Sequence, residues 1–236
     1  LIFEGVTFNS KKEISTMNWK YAVLAFVGSS LLVQLPVLSL QFPPTGGTGA
    51  PERTASGGRR GDSCIGAGAL PATALVPQNN LGTTVSQTPT LFFYIPQSTT
   101  KTAEFVLMDN ERNELFQTNI ALSGKSGVMR LDVPSTVKLE ENKTYRWEFS
   151  LICNTQDRSG DRYIQGMLQR TPLNRELKAK LVAAKPLQQA ELFAKAKIWQ
   201  DSLAIAAQLR GTNPKAWEEL LKSVGLGAIA SQPFVN

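Results

Sequence analysis

The densest run of reactive side chains in this chain is Asn154-Thr155-Gln156-Asp157-Arg158-Ser159-Gly160-Asp161-Arg162. The carboxylates of Asp157 and Asp161 stand beside the guanidiniums of Arg158 and Arg162, a set that supports three chemistries. It can ligate a cation through oxygen, grip a carboxylated ligand through bidentate arginine contacts, or pair with itself and fix the loop. Self-pairing is the simplest expectation. Paired carboxylates also serve glycoside hydrolysis, but no second acidic pair among sugar-stacking aromatics stands out. Asp109, Glu111 and Asn113 resemble an oxygen-ligand calcium loop, yet the glycine and distal glutamate of such a loop are missing, and a polar hairpin tip explains them.

What the sequence lacks narrows the chemistry further. It contains no histidine, which removes Ser-His-Asp, Cys-His and His-zinc catalysis together. Cys64 and Cys153 are too few for a structural zinc site and too far apart for a Cys-x-x-Cys redox motif. No catalytic, cofactor-binding or metal-ligating residue is assigned, no cofactor is expected, and the chain is not expected to be an enzyme.

The elements that hold these residues begin with an export signal. Residues 21–35 read Tyr-Ala-Val-Leu-Ala-Phe-Val-Gly-Ser-Ser-Leu-Leu-Val-Gln-Leu, with Lys11, Lys12 and Lys20 before them and Pro36 and Ser39 after. A basic start, an apolar centre and a small-residue exit are the order of a secretory leader. The apolar run is short for a membrane span, and Gln34 and Pro36 interrupt it, although an uncleaved anchor remains an alternative. Val37 and Ser39 suit the small-residue positions before a cut, which places the mature start near Leu40. Met17 also reads as a natural start, so residues 1–40 are taken as an N-terminal extension and signal peptide. Export delivers the cysteines to an oxidising compartment and predicts a Cys64–Cys153 disulfide; in a reducing cytosol both would stay free.

With 42% apolar and 19% charged residues in 236, the chain is globular in composition. Residues 41–70 are crowded with Pro, Gly, Ser, Thr and Arg and read as a flexible linker. Within them Arg60-Gly61-Asp62 matches an integrin-binding tripeptide, at a length expected by chance. Residues 71–171 carry short apolar runs split by turns, the pattern of a β-sandwich. Residues 91–95, Leu-Phe-Phe-Tyr-Ile, form one strand; residues 104–108 and 115–120 flank a polar turn and form a hairpin. Met129, Leu131 and Val133 alternate with Arg130 and Asp132. In residues 145–153, Tyr145, Trp147, Phe149, Leu151 and Cys153 share one face. A last strand covers residues 163–170.

Residues 172–230 change to helical spacing. Leu173, Leu177, Leu181 and Ala184 form a stripe, and further helices cover residues 187–197, 199–210 and 214–224. Ala190, Phe193, Trp199, Ser202, Ala206 and Pro214 fall at the spacing of a tetratricopeptide-type hairpin, but one repeat does not make a stack. The helices are expected to pack on each other or on the sandwich, with Lys197 and Trp217 as a candidate partner surface. The helical part carries most of the net charge of +6, as a solvated face does. Without a basic stripe interleaved with aromatics, nucleic acid is not an expected partner.

The fold class expected is therefore α+β: an immunoglobulin-like antiparallel β-sandwich followed by a C-terminal tetratricopeptide-like helical module. Leu139, a polar turn and then Tyr145-Arg146-Trp147 resemble the tyrosine corner of immunoglobulin-like and fibronectin-type-III-like sandwiches. Ala74-Leu75-Val76-Pro77, the strand at 90–95, Cys153-Asn154 leading through Asp157-Arg158-Ser159 to Gln169-Arg170, Ile198-Trp199-Gln200-Asp201-Ser202-Leu203 and Ser223-Val224-Gly225-Leu226 occur in order. Together they resemble the cyanobacterial family filed as "domain of unknown function 928", over roughly residues 42–233. The resemblance implies an exported cyanobacterial protein, encoded near secreted adhesin-like or signalling proteins, and carries no activity to transfer. The function expected is a non-catalytic interaction or structural component of the cell envelope, in the periplasm or on its outer surface. Its expected partner is another exported envelope protein, and its membrane contact runs only through the leader or an uncleaved anchor. The alternative is an envelope ligand-binding or hydrolytic protein that uses Asp157, Arg158, Asp161 and Arg162.

Overall fold

A strand that alternates apolar and polar residues buries one face, whereas a strand apolar at every position is covered on both. The strand Thr90–Ile95, with sequence Thr-Leu-Phe-Phe-Tyr-Ile, is of the second kind. In the computed structural model, which describes residues 39–45, 64–66 and 69–235, Leu91, Phe93 and Ile95 enter one apolar core and Phe92 and Tyr94 enter another. The leader reading of residues 1–38, the Arg60-Gly61-Asp62 triplet and most of the 41–70 segment lie outside the described residues.

The described strands are β1 (Thr73–Ala74), β2 (Leu81–Thr84), β3 (Thr90–Ile95), β4 (Thr102–Met108), β5 (Glu114–Ala121), β6 (Gly127–Asp132), β7 (Thr144–Leu151), β8 (Arg162–Arg170) and β9 (Phe234–Val235). They form two sheets, in the orders β1-β3-β6-β9 and β2-β8-β7-β4-β5. The first core fills the space where the sheets face each other. Phe93 of β3 stacks on Phe149 of β7 with ring centroids 4.6 Å apart and meets Trp147 edge-on at 5.4 Å. Tyr145, Trp147, Phe149 and Leu151 are all buried, as their period of two requires. The hairpin of β4 and β5 forms with Phe105 opposite Thr118, and β4 lies antiparallel to β7 with Phe105 opposite Phe149. Gly166 of β8 lies opposite Trp147, and a Cβ there would come within 2.3 Å of the indole. Only glycine lets that ring lie across the strand.

The arrangement departs from an antiparallel sandwich in two pairings. β2 runs parallel to β8, and β9 runs parallel to β6, so both sheets are mixed. Neither pair is joined by a tight turn, the connection that obliges antiparallel pairing; β9 reaches its place only after the chain has passed through the helices. The β7 strand also ends at Leu151, two residues before Cys153, so the cysteine sits in the following loop.

Helices α1 (Arg175–Ala183), α2 (Pro186–Lys195), α3 (Trp199–Leu209) and α4 (Pro214–Ser223) stand where the apolar spacing places them. Asn174 caps α1 by accepting from the Leu177 N–H at 2.8 Å, and a proline opens α2 and α4, where its missing N–H is no loss. Trp199, Leu203 and Ala206 of α3 and Trp217, Leu220 and Leu221 of α4 close over Leu75, Phe92, Tyr94 and Val128, making the second core. The helices therefore share a core with the sheet, and Leu38–Asn236 is one compact unit. The Trp199 Nε1–H donates to the Leu75 carbonyl at 2.7 Å. Leu40 and Phe42 are buried in the same core, so the chain on either side of the expected leader–linker boundary is tied down.

One polar clasp joins the helical layer to β2. Asp201 of α3 accepts from the Thr84 hydroxyl at 2.8 Å and from the Val85 N–H at 3.1 Å. Burial pushes its carboxyl pKa up, partly opposed by these hydrogen bonds. A carboxyl raised on folding favours the folded state below its unfolded value and loses that contribution as pH rises through the folded value. Asp201→Asn keeps an acceptor without a charge, so its unfolding midpoint relative to the parent is expected to be higher at pH 7 than at pH 3. Thermal melts across that range measure the difference.

Candidate functional site

The loop between β7 and β8 carries the charges singled out in the sequence, and most of them are satisfied within the fold. Asp157 caps a three-residue 3-10 turn, Arg158–Gly160, by accepting from the Ser159 N–H at 3.0 Å. Asp161 accepts from the Cys153 N–H at 3.0 Å and pairs through its other oxygen with Arg158 Nε. Arg158 also reaches across to β4, where its guanidinium meets Glu104 at 2.9 Å. The Arg158 guanidinium holds the Glu104 carboxyl below the usual carboxylate range, against a burial effect of opposite sign. In return Glu104, and after it Asp161, push the Arg158 pKa up. Arg162, at the start of β8, is only 6% exposed and is engaged within the fold.

The four loop residues therefore do different things. Asp157 turns the backbone from an exposed position, Asp161 bridges Cys153 to Arg158, Arg162 is buried, and Arg158 presents about half of its side chain to solvent, at 46%. The expected mutual pairing is present between Arg158 and Asp161. Glu104 is the partner that sequence reasoning missed; its alternation with buried Ala103 and Phe105 marks it as outward-facing, but only the pairing of β4 with β7 brings it within reach of the loop.

Beside the loop lies the covalent tie. Cys64 and Cys153 form a disulfide with Cα atoms 5.3 Å apart across 89 residues of sequence. The Thr99 N–H donates to the Cys64 carbonyl at 2.9 Å and Ile65 forms a β-bridge with Ser98, so the arriving segment is also pinned to the β3–β4 connection. The disulfide, the Asp161 bond to Cys153 and the Arg158 bridge form one continuous clamp.

The proposed helical surface is half wrong. Trp217 is fully buried: its Nε1–H donates to the Ala230 carbonyl at 3.0 Å, and its ring packs on Phe92 and Phe234. Ala216, Trp217, Leu220 and Leu221 share the apolar face of α4, and that face meets the sheet. Lys197 is exposed, but it is a turn residue between α2 and α3 with φ of +59°, and its carbonyl accepts from the Thr83 hydroxyl. Asp109, in the calcium-like run, accepts from both the backbone and side-chain nitrogens of Asn113 at 2.8 Å, which closes a hairpin tip. Among the described residues no cluster of Cys, Asp and Glu is placed to hold a metal, and no helix is long and apolar enough to cross a membrane.

A family model described as Domain of Unknown Function (DUF928) matches residues 55–234. The chain belongs to that family. The DUF928 match begins before Cys64 and runs through to β9, so it spans both cysteines, both sheets and all four helices. No curated protein matches the chain. The DUF928 unit is thus the whole assembly of clamp, sheets and helices.

The clamp predicts unequal effects for its two aspartates. Asp161→Ala leaves a half-buried N–H unpaired and releases Arg158, at a cost of about 1–3 kcal/mol. In a chain of this size that lowers the thermal midpoint by about 2–4 °C for each kcal/mol. Asp157→Ala, at an exposed turn, is expected to leave the midpoint nearly unchanged in the same melts.

Proposed function

We propose that this DUF928 chain is an exported, non-catalytic component of a cyanobacterial cell envelope that presents a rigid surface to another exported protein. The observation that carries the reading is the Cys64–Cys153 disulfide, a bond that persists in oxidising compartments and is rare in reducing ones. The leader-like order of residues 21–39 supports the same compartment. We place the mature protein in the periplasm or on the outer envelope, in contact with membrane only through its leader or an uncleaved anchor. Nucleic acid is not among its proposed partners.

We read the two facing sheets as an immunoglobulin-like sandwich, and the support is the tyrosine corner: the Tyr145 hydroxyl accepts from the Glu140 N–H at 2.7 Å, beside the buried Trp147. We read α2 and α3 as a tetratricopeptide-like hairpin, on the close approach that buried Ala190 allows: its carbonyl accepts from the Ser202 hydroxyl at 2.9 Å. Immunoglobulin-like sandwiches commonly serve as binding scaffolds, which is an argument from fold analogy. A second reading, an envelope ligand-binding or hydrolytic protein, rests on the half-exposed Arg158 guanidinium.

Thiol labelling of the exported protein is expected to find no reactive thiol before reduction and both cysteines after it. Reduction removes a cross-link worth about 4–5 kcal/mol in the chain-entropy model, so the denaturation midpoint should fall sharply with reductant. For the interaction reading, capture from the native envelope fraction should retain an exported partner that Lys197→Glu weakens and Arg158→Ala leaves bound. Loss of a carboxylated ligand on Arg158→Ala, with the fold intact and no protein partner, would favour the second reading instead.

A further inference from the structure

Leu40 and Phe42 lie along α4 as a strap with two anchors. Their side chains are buried at 1% and 4% exposure, and Phe42 meets Trp199 edge-on with ring centroids 5.0 Å apart. Their backbone nitrogens point to a single helix face. The Leu40 N–H donates to a Glu219 carboxylate oxygen at 3.1 Å, and the Phe42 N–H donates to the Ser223 hydroxyl at 3.0 Å. Glu219 and Ser223 are one helical turn apart, and Leu40 and Phe42 are two residues apart, a length of chain that can span one turn's rise.

The first of these bonds has a carboxylate as its acceptor. Glu219 forms no salt bridge among the described residues, and its carboxylate oxygen is directed at a main-chain amide. Neighbouring Glu218, by contrast, pairs with Lys222. The amide nitrogen that Glu219 reaches is the one that hydrolysis between Ser39 and Leu40 would turn into an amine. Ser39 is exposed and Leu40 is buried, so that bond sits where the chain enters the core, and Val37 and Ser39 are the small residues a leader exit needs.

We propose that Glu219 is the receptor for the α-ammonium group created when an envelope endopeptidase cuts between Ser39 and Leu40. The proposal rests on the export reading. In the cut, water adds across the Ser39–Leu40 peptide bond: its hydroxyl goes to the Ser39 carbonyl carbon, which leaves as a carboxylate with the leader. The Leu40 nitrogen takes up protons and becomes –NH3+. The neutral amide donor is replaced by a cationic ammonium donor, so the bond to the Glu219 carboxylate becomes an ion pair as well as a hydrogen bond. Because Leu40 is buried once docked, the cut precedes docking, and removal of the leader completes the helical layer.

The test starts from the full chain, exported in a bacterial host and recovered from the periplasm and membrane for intact mass. The expected product begins at Leu40. A chain that is exported but begins elsewhere, or keeps its leader, overturns this proposal and leaves export standing; a full-length chain held in the cytosol overturns both. On the mature chain, the α-amine is then titrated by its labelling rate against pH. Its pKa is expected about one unit or more above the ordinary value of about 8, and to return to that value in Glu219→Gln. The ammonium's contribution to stability is then complete below about pH 8 and lost as pH rises through the raised value. An α-amine that titrates at the ordinary value with Glu219 in place overturns the proposal, whether or not Glu219→Gln folds.

Discussion

Phe92 and Phe93, adjacent on β3, point in opposite directions and are both almost fully buried. Everything else in the fold follows from covering them both. Phe93 requires the facing sheet, which supplies Phe105, Trp147 and Phe149. Phe92 requires a third layer, and the helices supply Trp217 to it. A two-layer sandwich would leave the Phe92–Tyr94 face in water, where burial worth about 25 cal/mol for each Å² of apolar area would be forfeited. The sandwich and the helices are therefore not independent pieces.

The same constraint accounts for the parallel pairings. Once the helices lie on the outer face of the β1-β3-β6 sheet, the chain leaving α4 emerges beside β6 and adds β9 along it in the same direction. Phe234 then extends the cover over Phe92 and Trp217, with the Arg210 guanidinium lying 4.8 Å over its ring. On the far sheet, the loop carrying Asp157, Arg158 and Asp161 is held from both ends, by the disulfide and by Glu104. Charges that look available for chemistry when read along the chain are engaged by the backbone, by Glu104 and, for Arg158 and Asp161, by each other.

Much of this was legible without coordinates because it depends on local periodicity. The alternation of Tyr145, Trp147, Phe149 and Leu151 marks a half-buried strand, the polar run after Met108 marks a hairpin, and prolines at 186 and 214 mark helix starts. The Trp217 reading failed for a reason of the same kind in reverse. An amphipathic helix shows which of its residues share an apolar face, and Trp217 plainly belongs to that face of α4, but nothing along the chain says whether the face meets solvent, a partner or the protein's own sheet. Glu104 was missed because a salt bridge between residues 54 positions apart has no signature along the chain.

By itself, then, the sequence determined that histidine-based chemistry is closed to this chain, the type and place of the four helices and of six of the nine described strands, the pairing of its two cysteines once an oxidising compartment is assumed, and the family to which the chain belongs. These depend on composition, on short-range spacing and on residue order, which are properties of the chain as written. Only the tertiary structure decided that the helices and sheet share a core, that two strand pairs run parallel, that Trp217 is inside, that Arg158 is bridged to Glu104, and that Leu40 meets Glu219. Each of these joins residues far apart in the chain, and such contacts are selected by the total apolar area they bury, a quantity that belongs to the assembled fold and to no segment of it.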